Sequence, residues 1–337
     1  MDEIRIGVVG LGIRGNTHFK IFKSIENVRI VGIFDIDSEK TLSFAKKWNV
    51  IPYLSYNEML RDSKIDAIVI STPDHTHAKL TLKAINFGKH VLCEIPMAYT
   101  YEEVFEIVKA VEREEIIYLL GQEVRYWPVF RKIKELVEDN FFGEIFYAET
   151  EYLHNLEELI KKTPWRRKQT TMLGGGPHAV DILQWIIGDL IEVFAYSMKT
   201  IKTQLTDDFT IALYKSDKGT IGRVVVAYGI KRPYSLSIRI YGTKASFEQD
   251  TYPWSYKSGF LFDVNRGGRL ILKEEKTPII SHGCADYLQA LNFINSIKGL
   301  EKPLIDVYEA AKITNACIAA LESSLKNKVI KIPIVGG

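Results

Sequence analysis

The most restrictive feature of the chain is a glycine turn set between two different hydrophobic patterns. Ile4 to Val9 is a short apolar run, Gly10-Leu11-Gly12-Ile13-Arg14-Gly15 follows it directly, and helical periodicity comes next. A turn this tight between strand and helix uses the freedom of Gly10. A bare backbone at Gly12 lets another group come close, and Gly15 lets the helix pack on the strand. The unpaired N–H groups and dipole at that helix start favour an anion such as a pyrophosphate. Asp35 ends the second apolar run, 20 residues after Gly15, the spacing of a carboxylate that accepts hydrogen bonds from an adenosine ribose. It would repel a 2′-phosphate, and Ile36-Asp37 supplies no cation to offset this. The expected cofactor is therefore NAD rather than NADP.

The same grammar continues to about residue 122. Apolar runs at Ile4 to Val9, Arg29 to Phe34, Ala67 to Ile70, His90 to Cys93 and Ile116 to Leu120 alternate with longer amphipathic stretches. This alternation predicts βαβ units and a doubly wound parallel sheet. Beyond it, helices are predicted at Pro128 to Asp139 and Gly176 to Ile187, then a succession of strands from Ile191 to Leu272. The turn signals between those strands are Ser216-Asp217-Lys218-Gly219, Lys231-Arg232-Pro233, Gly242-Thr243-Lys244 and Arg266-Gly267-Gly268. Strands joined by tight turns predict an antiparallel sheet. Two more helices, Ala285 to Lys298 and Val307 to Lys326, follow.

A length of 337 residues suits roughly two domains of about 150 residues. Forty-four Lys and Arg against 42 Asp and Glu leave a net charge of +2, which argues for no nucleic-acid or membrane partner and favours a small ligand. No apolar run approaches the roughly 18 residues of a membrane span, and the first residues lack a signal-peptide pattern, so a cytoplasmic location is expected. Cys93, Cys284 and Cys317 have no C-x-x-C spacing and read as reduced packing residues, with no metal site.

Three further segments carry a resemblance. Ile70-Ser71-Thr72-Pro73-Asp74-His75-Thr76-His77, Gly88 to Pro96 and Gly121-Gln122-Glu123-Val124-Arg125-Tyr126-Trp127-Pro128 closely resemble the glucose–fructose oxidoreductase, inositol dehydrogenase and rhizopine-catabolism (Gfo/Idh/MocA) family. Landmarks at Gly143-Glu144-Ile145, Trp165-Arg166, Gly174 to Asp181, Tyr241-Gly242-Thr243 and Pro303 to Asp306 extend the likeness along the chain. The resemblance implies an α/β protein, with an NAD-binding Rossmann domain at 1–122. It implies a substrate-binding and oligomerisation α+β domain at 123–337, whose large open antiparallel sheet mediates homodimers or homotetramers. Gly10, Gly12, Ile13 and Arg14 would lie along the pyrophosphate, Asp35 on the ribose, and Ser71, Thr72, Pro73 and His77 near the middle of the cofactor. Glu94, Ile95 and Gln122 would border the nicotinamide, with Trp165 and Arg166 reaching it from the second domain. His75 and His77 lack the companions of a metal shell, which leaves capping or cofactor lining.

Two positions depart from the family pattern. Dehydrogenases of the family usually read Glu-Lys-Pro where this chain has Glu94-Ile95-Pro96, and isoleucine has neither a titratable proton nor a charge to stabilise an alkoxide. Aligning the family's catalytic His with His178 puts Gly174 where an Asp usually stands. His178 should lie near a helix N-terminus, with Pro177 in the first turn and Gly176 as cap, which keeps the imidazole neutral and basic. Asp181 can share its face, and His154 and Tyr126 complete the catalytic candidates. The basic stretch Lys161 to Lys168 is a surface loop or an anion site. The implied activity is NAD-dependent hydride transfer at a carbinol of a sugar, polyol or sugar derivative. Alternatives are an NAD-retaining glycosidase or lyase-like enzyme that oxidises its sugar transiently, and a non-catalytic NAD or sugar sensor.

Overall fold

In the first half, each expected apolar run becomes a strand with its neighbours parallel to it. The computed structural model describes residues 3–232, 234–249, 259–263, 268–272 and 282–334. Strands β1 (Ile4–Val9), β2 (Val28–Phe34), β3 (Ile51–Pro52), β4 (Ala67–Ile70), β5 (His90–Glu94) and β6 (Tyr118–Gly121) pair throughout in parallel, in the order β3-β2-β1-β4-β5-β6. All four residues of β4 are buried, as a strand covered on both faces requires. The crossovers are α1 (Ile13–Ser24), α2 (Ser38–Trp48), α3 (Tyr56–Arg61), α4 (His77–Asn86) and α5 (Tyr101–Glu114). Their ends are set locally. Asp37 caps α2 by accepting from the N–H of Lys40, and Thr100 with Glu103 forms a reciprocal capping box on α5, satisfying N–H groups that have no partner in the helix.

Winding reverses between β1 and β4, so the chain leaves the carboxyl ends of these two strands in opposite directions. Such a switch point opens a crevice at the sheet edge. A returning segment completes this unit, since Met1–Tyr126 and His282–Ala311 cluster together. The boundary in space therefore differs from a linear cut at 122. Helix α10 (His282–Ile297) packs on α1, placing Ala290, Phe293 and Ile294 in one core with Phe19, Phe22 and the strands.

The second unit comprises Trp127–Ser281 and Lys312–Ile334. It holds helices α6 (Pro128–Glu138), α7 (Glu157–Lys162), α8 (Thr171–Gly174) and α9 (Gly176–Ile187), while α11 (Val307–Lys326) contributes its later turns. Its strands are β7 (Ile145–Leu153), β8 (Leu190–Met198), β9 (Phe209–Ser216), β10 (Ile221–Ala227), β11 (Ser235–Gly242), β12 (Ala245–Gln249), β13 (Gly259–Asp263), β14 (Gly268–Leu272) and β15 (Ile330–Lys331). Among the described residues they form one sheet in the order β14-β13-β12-β11-β7-β10-β9-β8-β15. Pro233 and Arg266-Gly267 of the expected turns lie outside the described residues.

The sheet is antiparallel except at its centre, where β7 and β10 run parallel. A parallel pair needs a long crossover, and the helical segment between β7 and β8 supplies it, with α9 packed on β7 and β10. On β9, Thr210, Ala212, Tyr214 and Ser216 are buried while Ile211 and Leu213 are exposed. One face of the sheet is thus covered and the other open. Of the three free cysteines, Cys93 and Cys317 are buried, whereas Cys284 is exposed and does not pack. Among the described residues no helix is long and apolar enough to cross a membrane.

Because Phe293 is fully buried in the first unit, Phe293→Ala should cost about 3–5 kcal/mol and lower the urea midpoint of unfolding. Leu300→Ala, at an exposed position, should stay within about 0.5 kcal/mol. Equal midpoints for the two variants would remove the segment 282–311 from this core.

Candidate functional site

The carboxyl edge of the parallel sheet gathers the first set of residues. The Gly10 N–H donates to the Phe34 carbonyl at 2.8 Å and the Ser71 N–H to the Val9 carbonyl at 2.8 Å, which ties the ends of β1, β2 and β4 together. Gly10 has φ of +86°, and a Cβ on it would meet the Ser71 carbonyl oxygen at 2.7 Å. At Gly15 a Cβ would sit 1.8 Å from the Gly10 carbonyl oxygen, whereas at Gly12 it would meet nothing within 4 Å. The backbone of Gly12 is therefore an open surface at the start of α1. Ser71, whose Cβ would stand 3.6 Å from one on Gly15, has its Oγ buried and without a hydrogen-bond partner among the described residues. An open glycine backbone and an orphaned hydroxyl fit a dinucleotide pyrophosphate.

Asp35 is held firmly at the end of β2. Its Oδ2 accepts from the Leu11 N–H at 2.7 Å and from Lys40 Nζ at 2.9 Å, and its Oδ1 accepts from the Asp37 N–H at 3.1 Å. Burial raises the carboxyl's pKa, but the Leu11 N–H and Lys40 outweigh it and hold Asp35 below its usual value. Ile36-Asp37 carries no cation, but Lys40, further along, stands beside this carboxylate. Once Asp37 caps α2, the first helical turn brings Lys40 back over Asp35.

A charge cluster occupies the β5 side. Arg14 grips Asp286 with Nη1 and Nη2 at 3.0 and 2.8 Å, and its Nε and Nη2 reach Glu94 Oε1 at 2.9 and 2.8 Å. The guanidinium is thus engaged by protein carboxylates. His18 Nε2, one helical turn from Arg14, lies 2.6 Å from the same Glu94 oxygen. Burial raises the pKa of Glu94, yet Arg14 and His18 bring it down to about 2. Asp286 shifts upward because its burial outweighs Arg14. Gly121 makes room for the Glu94 side chain, since a Cβ there would fall 3.3 Å from its Cδ.

His77 and His75 part company. His75 is exposed, while His77 is buried with Nδ1 at 2.8 Å from the Pro96 carbonyl and Nε2 at 3.0 Å from the Thr72 carbonyl. Two carbonyl acceptors require two N–H donors, which the protonated ring provides. Burial lowers the pKa of His77, but Cys93 and the two carbonyls outweigh it and push it up to about 10. The ring therefore straps Ser71-Thr72-Pro73 to Glu94-Ile95-Pro96 rather than lining a surface. Gln122 is buried at the end of β6. Tyr126 is also buried, donating its hydroxyl to Asn292 Oδ1 at 2.8 Å, so the structure ties it to α10 and not to an open cleft. Ile13 stands exposed on the glycine turn, and Ile95 is half-buried.

Within the second unit a group of rings forms around Tyr152. His178 stacks on it with centroids 5.2 Å apart and a 13° angle, and His154 Nδ1 lies 3.3 Å from the Tyr152 hydroxyl. Tyr234 packs against both Tyr152 and His154. The glycine run permits this. A Cβ on Gly175 would strike the Tyr152 ring at 2.6 Å, and one on Gly174 would strike the Tyr228 hydroxyl at 2.0 Å. Gly175, one residue earlier than expected, is the N-cap of α9, which leaves His178 in the first turn. Asp181 is fully buried and close enough to Cys317 to raise the thiol's pKa along with burial. Arg166 stacks over Trp165 at 4.3 Å and donates to Gln169 at 3.0 Å.

His18, Lys40, Asp286, Tyr152 and Tyr234 escaped the sequence reading. Tyr152 in β7 and His154 just beyond its end are two residues apart, and His18 follows Arg14 by one helical turn. Both relations were available from periodicity. Asp286 carried no local signal, being 272 residues from Arg14. Among the described residues no group of three or more His, Cys, Asp or Glu could hold a metal ion.

Comparison with known proteins now adds context. Residues 4–122 match the oxidoreductase family with an NAD-binding Rossmann fold, and residues 130–248 match the GFO/IDH/MocA C-terminal domain. A glycosyl hydrolase family 109 protein of Shewanella sp. (strain W3-18-1) is 31% identical over 190 residues, covering 52% of this chain and 41% of that protein. The match thus spans about two fifths of that curated relative. Levoglucosan dehydrogenase in complex with NADH superposes with a TM-score of 0.90 at 19% identity, covering 99% of this chain and 100% of that one. An inositol dehydrogenase homologue from Azotobacter vinelandii, complexed with NADH and myo-inositol, superposes with a TM-score of 0.86 at 17% identity over 98% of each chain. At these identities the two structures speak for the fold.

The strap through His77 has a pH signature. A pKa raised in the fold to about 10 contributes stability that is fully present below the unfolded value of about 6.5 and is lost as pH rises through the folded value. His77→Gln should lower Tm most near pH 6 and progressively less up to pH 10. A Tm difference that stays constant over this range would mean that His77 is neutral in the fold.

Proposed function

The chain belongs to the Gfo/Idh/MocA oxidoreductase family, and from that premise we propose that it is an NAD-dependent oxidoreductase acting on a carbinol of a sugar, polyol or sugar derivative. The observation that carries this reading is the carboxyl edge of the parallel sheet, where the Gly12 backbone is open between Asp35 and Ser71. Backbone N–H groups of the glycine turn would hold the pyrophosphate, and Asp35 the adenosine ribose, with NAD preferred over NADP. When bound, the nicotinamide supplies the capacity to accept or return a hydride.

The protein's own task is then to position the carbinol and move its proton. His178 is the proposed base, because the first turn of a helix disfavours the imidazolium and leaves a neutral ring able to take a proton. Tyr152 stacks along that ring and restricts its rotation. His154 and Asp181 are the further candidates of this unit, while Tyr126, bonded to Asn292, would serve through packing. Ile95 stands where the family's dehydrogenases usually carry Lys and cannot assist the proton transfer. Trp165 and Arg166 are proposed to complete the nicotinamide site.

A second reading keeps the cofactor and changes the net reaction. The partial match to a family 109 glycosyl hydrolase, together with Ile95 and Gly174, favours transient oxidation of a sugar, elimination, addition of water and return of the hydride. Assembly is proposed to use the open sheet face, whose exposed side chains include Tyr196, Met198, Leu213 and Ile221. An exposed apolar group of this kind suits a second copy of the chain.

A carbinol panel followed by NADH absorbance should find a substrate, with His178→Ala lowering kcat by about 10²–10⁴-fold. Undiminished turnover in that variant would sink the assignment of the base. Turnover with no NADH accumulation, and with solvent deuterium entering beside the oxidised carbon, would select the glycosidase reading. Leu213→Glu should reduce the mass measured by light scattering to that of a smaller assembly. An unchanged mass would exclude this face.

A further inference from the structure

Glu94 has two unequal carboxylate oxygens. Oε1 lies within hydrogen-bond distance of Arg14 Nε and Nη2 and of His18 Nε2, at 2.9, 2.8 and 2.6 Å. Three nitrogens on one oxygen fix the carboxylate's orientation, and the side chain is 12% exposed. Its place is the end of β5, across β4 from the glycine turn, while Asp35 ends β2 on the other side. A dinucleotide laid over the switch point with its adenosine at Asp35 directs its other end toward β4 and β5.

Charged groups from several elements surround Glu94. Arg14 and His18 come from α1, Glu123 from the turn after β6 and Asp286 from α10. Glu94 and Asp286 both hold the one Arg14 guanidinium. We infer that Glu94 determines specificity for the cofactor's oxidation state, its fixed carboxylate favouring the cationic, oxidised nicotinamide over the neutral, reduced one. Arg14 and His18 act through Glu94 as positioning residues. The downward pKa shift of Glu94 agrees with a group that stays ionised throughout the working pH range.

This inference rests on the cofactor reading proposed above, and equilibrium binding tests it without turnover. Fluorescence titrations of the full chain with NAD⁺, NADH and ADP-ribose would be compared for the wild type, Glu94→Gln and Glu94→Asp. Removing one unit charge near the ring should move the ratio of the NAD⁺ to NADH dissociation constants about ten-fold toward NADH, since two charges within several ångströms interact at that level or above. ADP-ribose, which lacks the nicotinamide, should change by less than about two-fold, and Glu94→Asp should stay close to the wild-type ratio because it keeps the charge. An unchanged ratio in Glu94→Gln, or an equal loss for all three ligands, overturns the inference and leaves the cofactor reading standing. Failure of the wild type to bind any of the three overturns both. Should Glu94→Gln not fold, Arg14→Lys gives the second test. It keeps the charge but loosens the grip on Oε1, and a ratio shifted in the same direction supports the inference, whereas an unchanged ratio overturns it.

Discussion

Helix α1 can close against the end of β1 because Gly15 has no side chain: a Cβ there would stand 1.8 Å from the Gly10 carbonyl oxygen. That contact sets the distance between the first strand and the first helix, and much of the site depends on it. With the helix start pressed to the strand end, Leu11 can donate to Asp35 and Gly10 can stand against Ser71. The residues at the ends of β1, β2 and β4 then form one continuous surface. Backbone dipoles at a helix start favour an anion without any excess of basic side chains.

Charge in the first unit follows a different logic. Arg14 and Glu94 share the edge of the sheet, but their geometry is completed by Asp286 on α10, a helix that arrives late in the chain. Burying carboxylates and a guanidinium together is tolerable when their hydrogen-bonding capacity is met by one another. The returning segment therefore contributes core packing through Phe293 and polar completion through Asp286. His77 makes an analogous link between two loops, using backbone carbonyls as its acceptors.

In the second unit, glycine again decides what can approach. Gly174 and Gly175 leave the volume taken up by the Tyr228 hydroxyl and the Tyr152 ring. The space beside Gly174 is filled by the Tyr228 hydroxyl and the Gln169 side chain. Gly175, the next residue, makes room for the stacked Tyr152 and His178 pair.

Local sequence determined the elements that local physics controls. Short apolar runs specify the strands of the parallel sheet, because a strand buried on both faces must be apolar at nearly every position. The glycine turn and Asp35 were legible because their roles depend on backbone conformation and on spacing within about 30 residues. The tertiary structure decided the rest. Lys40 joins Asp35 only when the cap of α2 turns the helix back, Asp286 meets Arg14 from 272 residues away, and β7 finds β10 as a parallel neighbour through an intervening helical crossover. Periodicity records which face of an element is buried. It carries no record of which distant side chain will meet that face, and the partners of Arg14, Glu94 and His178 are of that kind.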